Sequence, residues 1–554
     1  MSGHWALNLI LSPAYTESCV SSNQNSELST QDSGPVPPVW PLILGIAAIK
    51  FLTHLYTSGG YNYFRDELYF MACGRHLDWG YVDHAPLVAV YARIGMACGS
   101  LRGFRLLATI AGTLRVVLAG VIVARLGGKR VAQALACTAV LFTSCYFAMD
   151  SILSMNAFEH LFVLAAALIL IEIANGAPER MADGRSQMAE GEPLPSALRH
   201  PRSERWWLAF GVVAGLGLQN KHSMLFFGFA LIAGILFTPL RRSLARPWIY
   251  AGGLIAVLIF LPNVIWQWQH GFPTLELLRN VKASGKNVVL PPLAFIKQQA
   301  MMLNPLLAPV WLIGLGALLF AKSLKPYRFL GWAYLVLLVT FIKMEAKDYY
   351  VAPVYPILFA AGAVWIARWR AAAIAAFALV IVGGAIPIPI VLPILPPEQY
   401  LAYQHRLGVK PKPTERSHTA DLPQLWADQF GWEEMVRTVA SYYNSLPPEE
   451  RKKTAIYCGN YGEAGAIDFY GPKYGLPKAI CGHQNYYLWG PRDTTGESII
   501  LVGDDPDAAM WQSLRVVATH RNRWGMPFEN GPIYHGRGLK LPIAKVWPET
   551  KEYR

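Results

Sequence analysis

The chain has 554 residues, of which 53% are hydrophobic and only 15% are charged. Its mean hydropathy of +0.27 is high for a soluble protein. Apolar runs of about 20 residues, the length that crosses a hydrocarbon layer as a helix, recur until about residue 395. The formal net charge of +13 arises largely from Lys and Arg in the turns between these runs, which favours a membrane protein over a nucleic-acid partner.

The chain begins with a polar stretch, residues 1–37, that is rich in Ser, Asn and Gln. It lacks a basic start, an apolar centre and a small-residue cleavage site, so it does not match a cleaved signal peptide. We expect a disordered cytosolic tail. The first apolar run then serves as an uncleaved anchor.

The membrane body is predicted to cover residues 38–395 with about eleven transmembrane helices. For residues 206–238 the sequence leaves two alternatives, which are two short spans or one span followed by a re-entrant segment. The predicted spans are residues 38–57, 104–124, 131–149, 154–174, 206–219, 223–238, 247–266, 302–321, 329–343, 350–367 and 371–395.

The basic turns orient this bundle. When the spans are threaded alternately, five basic turns lie on one side, which the positive-inside rule places in the cytosol. The outer loop 58–103, the turns 150–153 and 344–349, the loop 267–301 and the C-terminal domain then face outward. The basic residues are Arg125, Lys129, Arg130, Arg180, Arg185, Arg199, Arg202, Arg205, Arg241, Arg242, Arg246, Lys322, Lys325, Arg328, Arg368 and Arg370.

The first outer loop contains RDELYFMACGRHLDWGYVDHAPL, residues 65–87, an unusually acidic and aromatic stretch. Asp66 and Glu67 open an amphipathic segment, and the apolar stretch 87–98 that follows is too short to cross a membrane. Such a loop folds back to wall a cavity, where a half-sheltered carboxylate is suited to proton transfer. The alternative is an acid pair in a solvated loop.

Other charged residues lie at the same predicted outer face. Asp150 stands between two apolar spans, where an acid is costly unless it faces a polar cavity or a partner. Glu159 and His160 lie deeper in the next span. For either residue, a hydrogen bond within the helix bundle is the alternative to a functional role. The cations are either interfacial side chains or a cradle for the phosphate of a lipid donor. The phosphate-binding candidates are Lys221, Lys343, Lys347, Tyr349 and Tyr350.

A metal site is left open by the sequence. The first outer loop offers ligand types, but without tight ligand spacing. These are Asp66, Glu67, His76, Asp83 and His84. No cofactor is required by the chemistry considered, and no nucleotide-binding motif occurs, which argues against a nucleotide-sugar or ATP-driven reaction.

Residues 396–554 predict a soluble α/β domain. TAIYCGNY, SIILVGDD and RVVATHRN are typical of strands, and a helix is expected in DAAMWQSL, after Asp505-Pro506. Cys458 and Cys481 are able to form a disulfide if the domain is outside the cytosol. Loops rich in Gly, Asn and aromatics suit either sugar stacking or ordinary packing. The residues proposed for acceptor or glycan contact are Asn460, Tyr486 and Trp489.

Several segments together resemble a known family. RDELYF with LDWGYVDHAPL, FAMDSILSMNAFEHLF, GLGLQNKHSMLFFG, PNVIWQWQHGFPTLE and KMEAKDYYVAPVYPILFAAG are similar to the dolichyl-phosphate-mannose protein mannosyltransferases, glycosyltransferase family 39. Bacterial relatives include the lipid A aminoarabinose transferases. The resemblance covers most of residues 38–395 in the expected order.

This resemblance implies the GT-C fold and a function in the bacterial inner membrane. The enzyme takes a sugar from a polyprenyl-phosphate donor on the periplasmic face and passes it, with inversion, to a lipid, protein or glycan acceptor. Asp66 matches the catalytic carboxylate, with Glu67 beside it, and Asp150 matches the second acid. Tyr69, Tyr81 and His84 are expected to line the substrate cavity. Where relatives often have Lys or Gln and two prolines, this chain has His84-Ala85-Pro86.

The competing interpretation is a transporter or flippase of lipid-linked or small solutes. Such a protein places its charges near the membrane midplane and shows repeat symmetry between its halves. This sequence places its charges at one face and shows no detectable repeat, which favours the glycosyltransferase.

Overall fold

The structure, a computed structural model, describes residues 34–190, 202–409 and 420–554. Side chains are described outside 177–190 and 202–203. The predicted tail 1–37 therefore lies almost wholly outside the described residues, as does Arg199 of the predicted basic loop.

The membrane body is built from helices joined by short turns. In chain order they are α1 (Trp40–Thr57), α2 (Arg65–Arg75), α3 (Leu87–Met96), α4 (Leu101–Arg125), α5 (Arg130–Leu141), α6 (Ser144–Met149), α7 (Met155–Glu190), α8 (Trp206–Asn220), α9 (Met224–Leu236), α10 (Pro247–Gln269), α11 (Pro273–Ser284), α12 (Pro292–Leu303), α13 (Ala308–Phe320), α14 (Arg328–Lys343), α15 (Tyr355–Ile366) and α16 (Arg370–Ala385). A 3-10 helix, Asp348–Val354, leads into α15.

Each of the predicted spans contains helix. Within the described residues, 5 helices are long and apolar enough to cross a membrane, or up to 7 if each of two bent pairs is one span. The chain is thus a multi-pass membrane protein, and the larger number of spans stays a prediction. The five are Trp40–Thr57, Leu101–Arg125, Met155–Gly176, Pro247–Gln269 and Asp348–Ile366.

Two predicted boundaries are wrong. The last span was expected to reach residue 395, but α16 ends at Ala385, before Pro387 and Pro389. Proline lacks the N–H that the next helical turn needs and collides with the preceding turn. The segment 175–205 was expected to be a loop, but α7 continues to Glu190 because this stretch is rich in the helix formers Ala, Glu, Met and Arg.

The C-terminal region contains a mixed sheet of five strands in the order β2-β1-β3-β5-β4. β1 runs parallel to β2 and β3, and β5 pairs antiparallel with β3 and β4. The strands are β1 (Thr454–Cys458), β2 (Ala479–Cys481), β3 (Ser498–Val502), β4 (Trp511–His520) and β5 (Gly531–Leu539).

Eight α-helices are described in the chain after α16. They are α17 (Ile388–Val391), α18 (Pro397–Arg406), α19 (Gln424–Ala427), α20 (Trp432–Ser445), α21 (Pro448–Lys453), α22 (Tyr461–Tyr470), α23 (Asn485–Trp489) and α24 (Ile543–Val546). The prediction of a helix in DAAMWQSL is wrong. Only a 3-10 turn, Ala508–Met510, occurs there, and Trp511 already pairs with Leu539 of β5.

Cys458 and Cys481 occupy paired positions on β1 and β2, and both are buried free thiols. The structure therefore contains two reduced cysteines where the sequence left a disulfide open.

The first outer loop and the C-terminal region share one hydrophobic core. Leu68 and Phe70 of α2 pack in the same cluster as Trp432, Val436 and Ile467. The RDELYF segment is therefore covered by the C-terminal region, a contact that the sequence did not indicate.

Candidate functional site

The candidate site begins in the first turn of α2. Asp66 and Glu67 lie where the unpaired N–H groups of a helix favour carboxylates. One Glu67 oxygen, Oε2, accepts a hydrogen bond of 2.8 Å from the Phe64 backbone N–H, which fixes the start of the helix. The two adjacent acids then point into different environments.

Glu67 is completely buried in an ion pair with Arg105. Its Oε1 accepts from Arg105 Nε at 2.9 Å and from the Leu153 N–H at 2.7 Å, and its Oε2 accepts from Arg105 Nη2 at 2.7 Å. Arg105 also donates to the carbonyls of Ser58 and Asn62. Glu67 thus ties the outer loop to α4 and to the turn that follows Asp150.

Asp150 is also completely buried, between two cations. Its carboxylate accepts from both terminal nitrogens of Arg115, at 2.8 and 3.1 Å, and lies 2.8 Å from Lys50 Nζ. A Cβ at Gly112 of α4 would overlap this carboxylate, so the site needs glycine there. Of the two settings that the sequence left open for Asp150, a polar cavity or a partner, the structure presents the partner, in buried ion pairs with Lys50 and Arg115.

Asp66 differs from both because 35% of its side-chain surface is exposed. Its Oδ1 accepts a hydrogen bond of 2.9 Å from the Tyr461 hydroxyl and lies 3.6 Å from Arg65 Nε. Arg65 also approaches Asp428, with 3.7 Å between Nη2 and Oδ2. Among the three predicted acids, Asp66 is the one that an incoming substrate can reach.

Tyr461 comes from the C-terminal region and was not predicted as a site residue. It opens α22, whose Gly465 lies against the backbone of Leu68 in α2, and a Cβ there would sit 2.9 Å from the Leu68 carbonyl carbon. Burial raises the pKa of the Tyr461 hydroxyl well above its usual value, and the Asp66 charge adds to this. Tyr461 therefore remains a proton donor to Asp66 at neutral pH.

Lys221 lies at the turn after α8, with 16% of its side chain exposed. Its Nζ donates to Asn156 Oδ1 and to Glu159 Oε2, each at 2.8 Å, and lies 4.4 Å from the centre of the Tyr350 ring. The structure therefore brings together Lys221, Tyr350 and Glu159, the acid whose role the sequence left open.

Tyr349 lies beside Lys221. The Lys221 Nζ lies 5.8 Å from the Tyr349 ring centre, and the Tyr349 and Tyr350 rings meet edge to face with 5.0 Å between their centres. Both predicted tyrosines are thus neighbours of the predicted lysine. Of the other two predicted phosphate ligands, Lys343 is exposed at the end of α14 and Lys347 is half-buried in the next turn.

The predicted cavity residues form a buried aromatic cluster next to Asp66. Tyr69 donates to Asp83 Oδ1 at 2.9 Å, and Tyr81 stacks on the His84 ring with 4.5 Å between centres. Tyr69 and Tyr81 are fully buried and so belong to the wall of the site. Burial raises the pKa of Asp83, and the Asp66 charge raises it further.

The three residues predicted to contact a glycan have other partners. The Asn460 side chain caps α22 by accepting from the Gly462 and Glu463 N–H groups. Tyr486 is buried and donates to Asp468, and Trp489 stacks on His76 with 4.6 Å between ring centres. The side chains of Asn460 and Tyr486 thus already form hydrogen bonds within the protein.

Among the described residues, no group of three or more His, Cys, Asp or Glu side chains is arranged to hold a metal ion. The first-loop residues considered for a metal instead have separate partners. Glu67 pairs with Arg105, and His76 stacks on Trp489.

Comparison with known proteins agrees with this architecture. Residues 194–266 match the family model described as dolichyl-phosphate-mannose-protein mannosyltransferase. The structure is similar to ArnT from Cupriavidus metallidurans in the apo state, with 13% identity, a TM-score of 0.54, and coverage of 91% of this chain and 98% of that chain. For ArnT bound to undecaprenyl phosphate the values are 13%, 0.51, 90% and 97%. No curated protein matches the sequence.

At 13% identity the likeness to ArnT establishes a shared fold, and the family model matches only a part of the membrane body. The resemblance predicted from the sequence agrees with the family model over residues 194–266 and with the fold that the chain shares with ArnT.

Proposed function

We propose that the protein transfers a sugar, with inversion, from a polyprenyl-phosphate donor to a hydroxyl or amine of a lipid, protein or glycan acceptor. The observations that carry this proposal are the accessible Asp66 carboxylate, held by the Tyr461 hydroxyl, and the Lys221 cation beside the Tyr350 ring. Transfer from a phosphate donor requires a base for the acceptor and a positive charge for the leaving group.

In the proposed reaction, Asp66 accepts the proton of the acceptor group. The acceptor oxygen or nitrogen attacks the anomeric carbon of the donor from the face opposite the phosphate. The bond between the anomeric carbon and the phosphate oxygen breaks, and the electron pair leaves with the polyprenyl phosphate. Lys221, supported by Tyr350, stabilises the charge on that phosphate.

Glu67 and Asp150 have positioning roles in this proposal. Both carboxylates are buried and saturated by donors, so neither has a free oxygen for the acceptor. Glu67 with Arg105 holds the first turn of α2, and hence Asp66, at a fixed place. Asp150 pairs with Lys50 of α1 and with Arg115 of α4, and so holds these two helices together.

Two further facts support a lipid-linked donor. ArnT from Cupriavidus metallidurans, whose solved structure has a similar fold, is described with undecaprenyl phosphate bound. The sequence has no nucleotide-binding motif, and a polyprenyl phosphate is itself a leaving group. We place the reaction at the periplasmic face of a bacterial inner membrane, with the C-terminal region in the periplasm, because the basic turns predict that orientation.

The test is transfer of radiolabelled sugars from defined polyprenyl-phosphate donors by the purified protein in proteoliposomes. Asp66→Asn keeps the size of the side chain and removes the base, so transfer should fall by about 100-fold or more. Glu345→Gln is the matched control because Glu345 is an exposed acid in the outer turn after α14. Full transfer by Asp66→Asn refutes the assigned base. Movement of the lipid without a covalent product indicates a transporter.

A further inference from the structure

His483 packs on the tyrosine that donates to Asp66. It lies in segment 482–484, between β2 and α23, and 7% of its surface is exposed. Its ring centre is 4.8 Å from that of Tyr461, whose hydroxyl donates to Asp66 Oδ1 at 2.9 Å. A displacement of the imidazole would therefore reach the hydroxyl that orients the proposed base.

Gln484, the next residue, has an unusual backbone conformation, with φ 53° and ψ −136°. A positive φ favours glycine because it has no Cβ to collide with the backbone. Such strain persists only where the surrounding structure fixes the chain. Beyond Gln484, the Asn485 N–H donates to the Tyr69 hydroxyl at 3.3 Å. The strained residue thus lies between two residues that contact the walls of the site.

Residues 551–554, which we call the strap, supply contacts that fix this backbone. The Glu552 N–H donates to the Gly482 carbonyl at 2.9 Å, and the Glu552 carbonyl accepts from the Gln484 N–H at 3.0 Å. This is the pairing of two parallel strands. A Cβ at Gly482 would sit 1.9 Å from the Thr550 carbonyl oxygen, so only glycine allows the two segments to come this close.

The strap also fixes the His483 ring. The backbone oxygen of Arg554 lies 3.1 Å from His483 Nε2 and 3.0 Å from Gln484 Nε2. Because this oxygen only accepts, the imidazole hydrogen is on Nε2. Burial lowers the pKa of His483 to about 3, so the ring is neutral at neutral pH. A neutral, oriented ring suits packing on Tyr461 better than carrying a proton.

Helix α11 of the outer loop holds the strap as well. Lys551 Nζ lies 2.7 Å from Glu276 Oε2, and the Asn280 side chain donates to the Tyr553 carbonyl at 2.8 Å. Tyr553 is buried in one apolar cluster with Leu277. The strap therefore joins an outer-loop helix to the segment that carries the imidazole.

We propose that His483 is a positioning residue for the base Asp66, acting through Tyr461, and that the strap holds His483 in place. This inference rests on the proposed function. The imidazole sets the position of the Tyr461 ring, and the Tyr461 hydroxyl engages Asp66 Oδ1, which leaves Oδ2 to accept the proton of the acceptor group. A misplaced base lowers the rate of the chemical step more than it weakens binding of the donor.

The experiment measures kcat and the donor KM for sugar transfer by the full-length protein in proteoliposomes, beside the melting temperature. His483→Ala removes the ring, and His483→Phe keeps an aromatic ring against Tyr461. Each variant is made in the wild type and in Tyr461→Phe, which lacks the hydroxyl. Glu552→Pro removes the N–H that pairs with the Gly482 carbonyl, and Glu552→Ala, which keeps this N–H, is the reference at the same position.

We expect His483→Ala to lower kcat about three- to tenfold, the effect of losing one aromatic pair, with the donor KM within about twofold of the wild type. His483→Phe should recover most of this loss, and Glu552→Pro should lower kcat more than Glu552→Ala. In the Tyr461→Phe background, His483→Ala and Glu552→Pro should not lower kcat further, because the hydroxyl through which they act is absent.

An unchanged kcat in His483→Ala overturns this inference alone. So does the same fall in kcat with and without the Tyr461 hydroxyl, which would indicate a structural role for His483. Absence of transfer by the wild type from every polyprenyl-phosphate donor overturns the proposed function and this inference together.

Discussion

Replacing Glu67 with glutamine separates the roles of the two adjacent acids in α2. Glu67 is fully buried and receives hydrogen bonds from Arg105, Phe64 and Leu153. Glutamine removes the charge and turns an N–H₂ group toward these donors. The change leaves the buried Arg105 guanidinium without its carboxylate, so we expect Glu67→Gln to act on stability.

The size of the effect follows from burial of both partners, each with no exposed side-chain surface. Breaking a buried pair by removal of one partner costs about 3–5 kcal/mol. Asp66→Asn changes an acid that is partly exposed and whose ion pair with Arg65 spans 3.6 Å, so its cost should be within about 1 kcal/mol. The two neighbouring substitutions should therefore differ clearly in stability.

The assay is the apparent melting temperature of each purified variant in the same detergent, measured beside sugar transfer. Glu67→Gln should lose several degrees, and the double variant with Arg105→Met should lose less than the two single variants combined, because it removes the unpaired charge. If Glu67→Gln melts like the wild type but loses transfer as Asp66→Asn does, Glu67 acts on the substrate and the positioning role is wrong.

Three further predictions concern the C-terminal region. Tyr461→Phe removes the donor that orients Asp66 and should lower the transfer rate about tenfold while costing only a few degrees in melting temperature, since hydrogen bonds to charged groups contribute about 1.5 kcal/mol; an unchanged transfer rate contradicts the orienting role. Gly465→Val should weaken the contact with α2 by about 1–3 kcal/mol, seen as faster limited proteolysis of the C-terminal region; an unchanged rate contradicts the close packing. Burial, followed by the neighbouring Glu529 charge, raises the pKa of Glu463, so the folded state loses stability as pH rises above the ordinary glutamate range. Glu463→Gln should therefore raise the melting temperature at pH 8 more than at pH 5, and equal shifts would contradict this.

Apolar periodicity predicted the apolar segments of the membrane body, each of which contains helix, but not the helices α11 and α12 in the predicted loop 267–301. Threading placed Asp66 and Lys221 at one face, which stays a prediction. The end of the last span was missed because hydropathy alone does not register that Pro387 stops a helix.

The different roles of the acids were not visible in the sequence. Glu67 and Asp150 depend on Arg105 and Arg115, charged residues inside an apolar span that the sequence analysis did not single out. A charge within such a run is costly unless it has a partner, and this was the available signal. Tyr461 lies 395 residues from Asp66, and no local pattern brings them together.

The central claim is that Asp66 and the lipid phosphate occupy one site, and a structure of the protein with undecaprenyl phosphate tests it most directly. We predict that the phosphate lies within hydrogen-bond distance of Lys221 and that Asp66 remains open on the side where an acceptor would enter. A phosphate bound between spans near the membrane midplane, away from Asp66 and Lys221, would contradict the claim and favour a transporter.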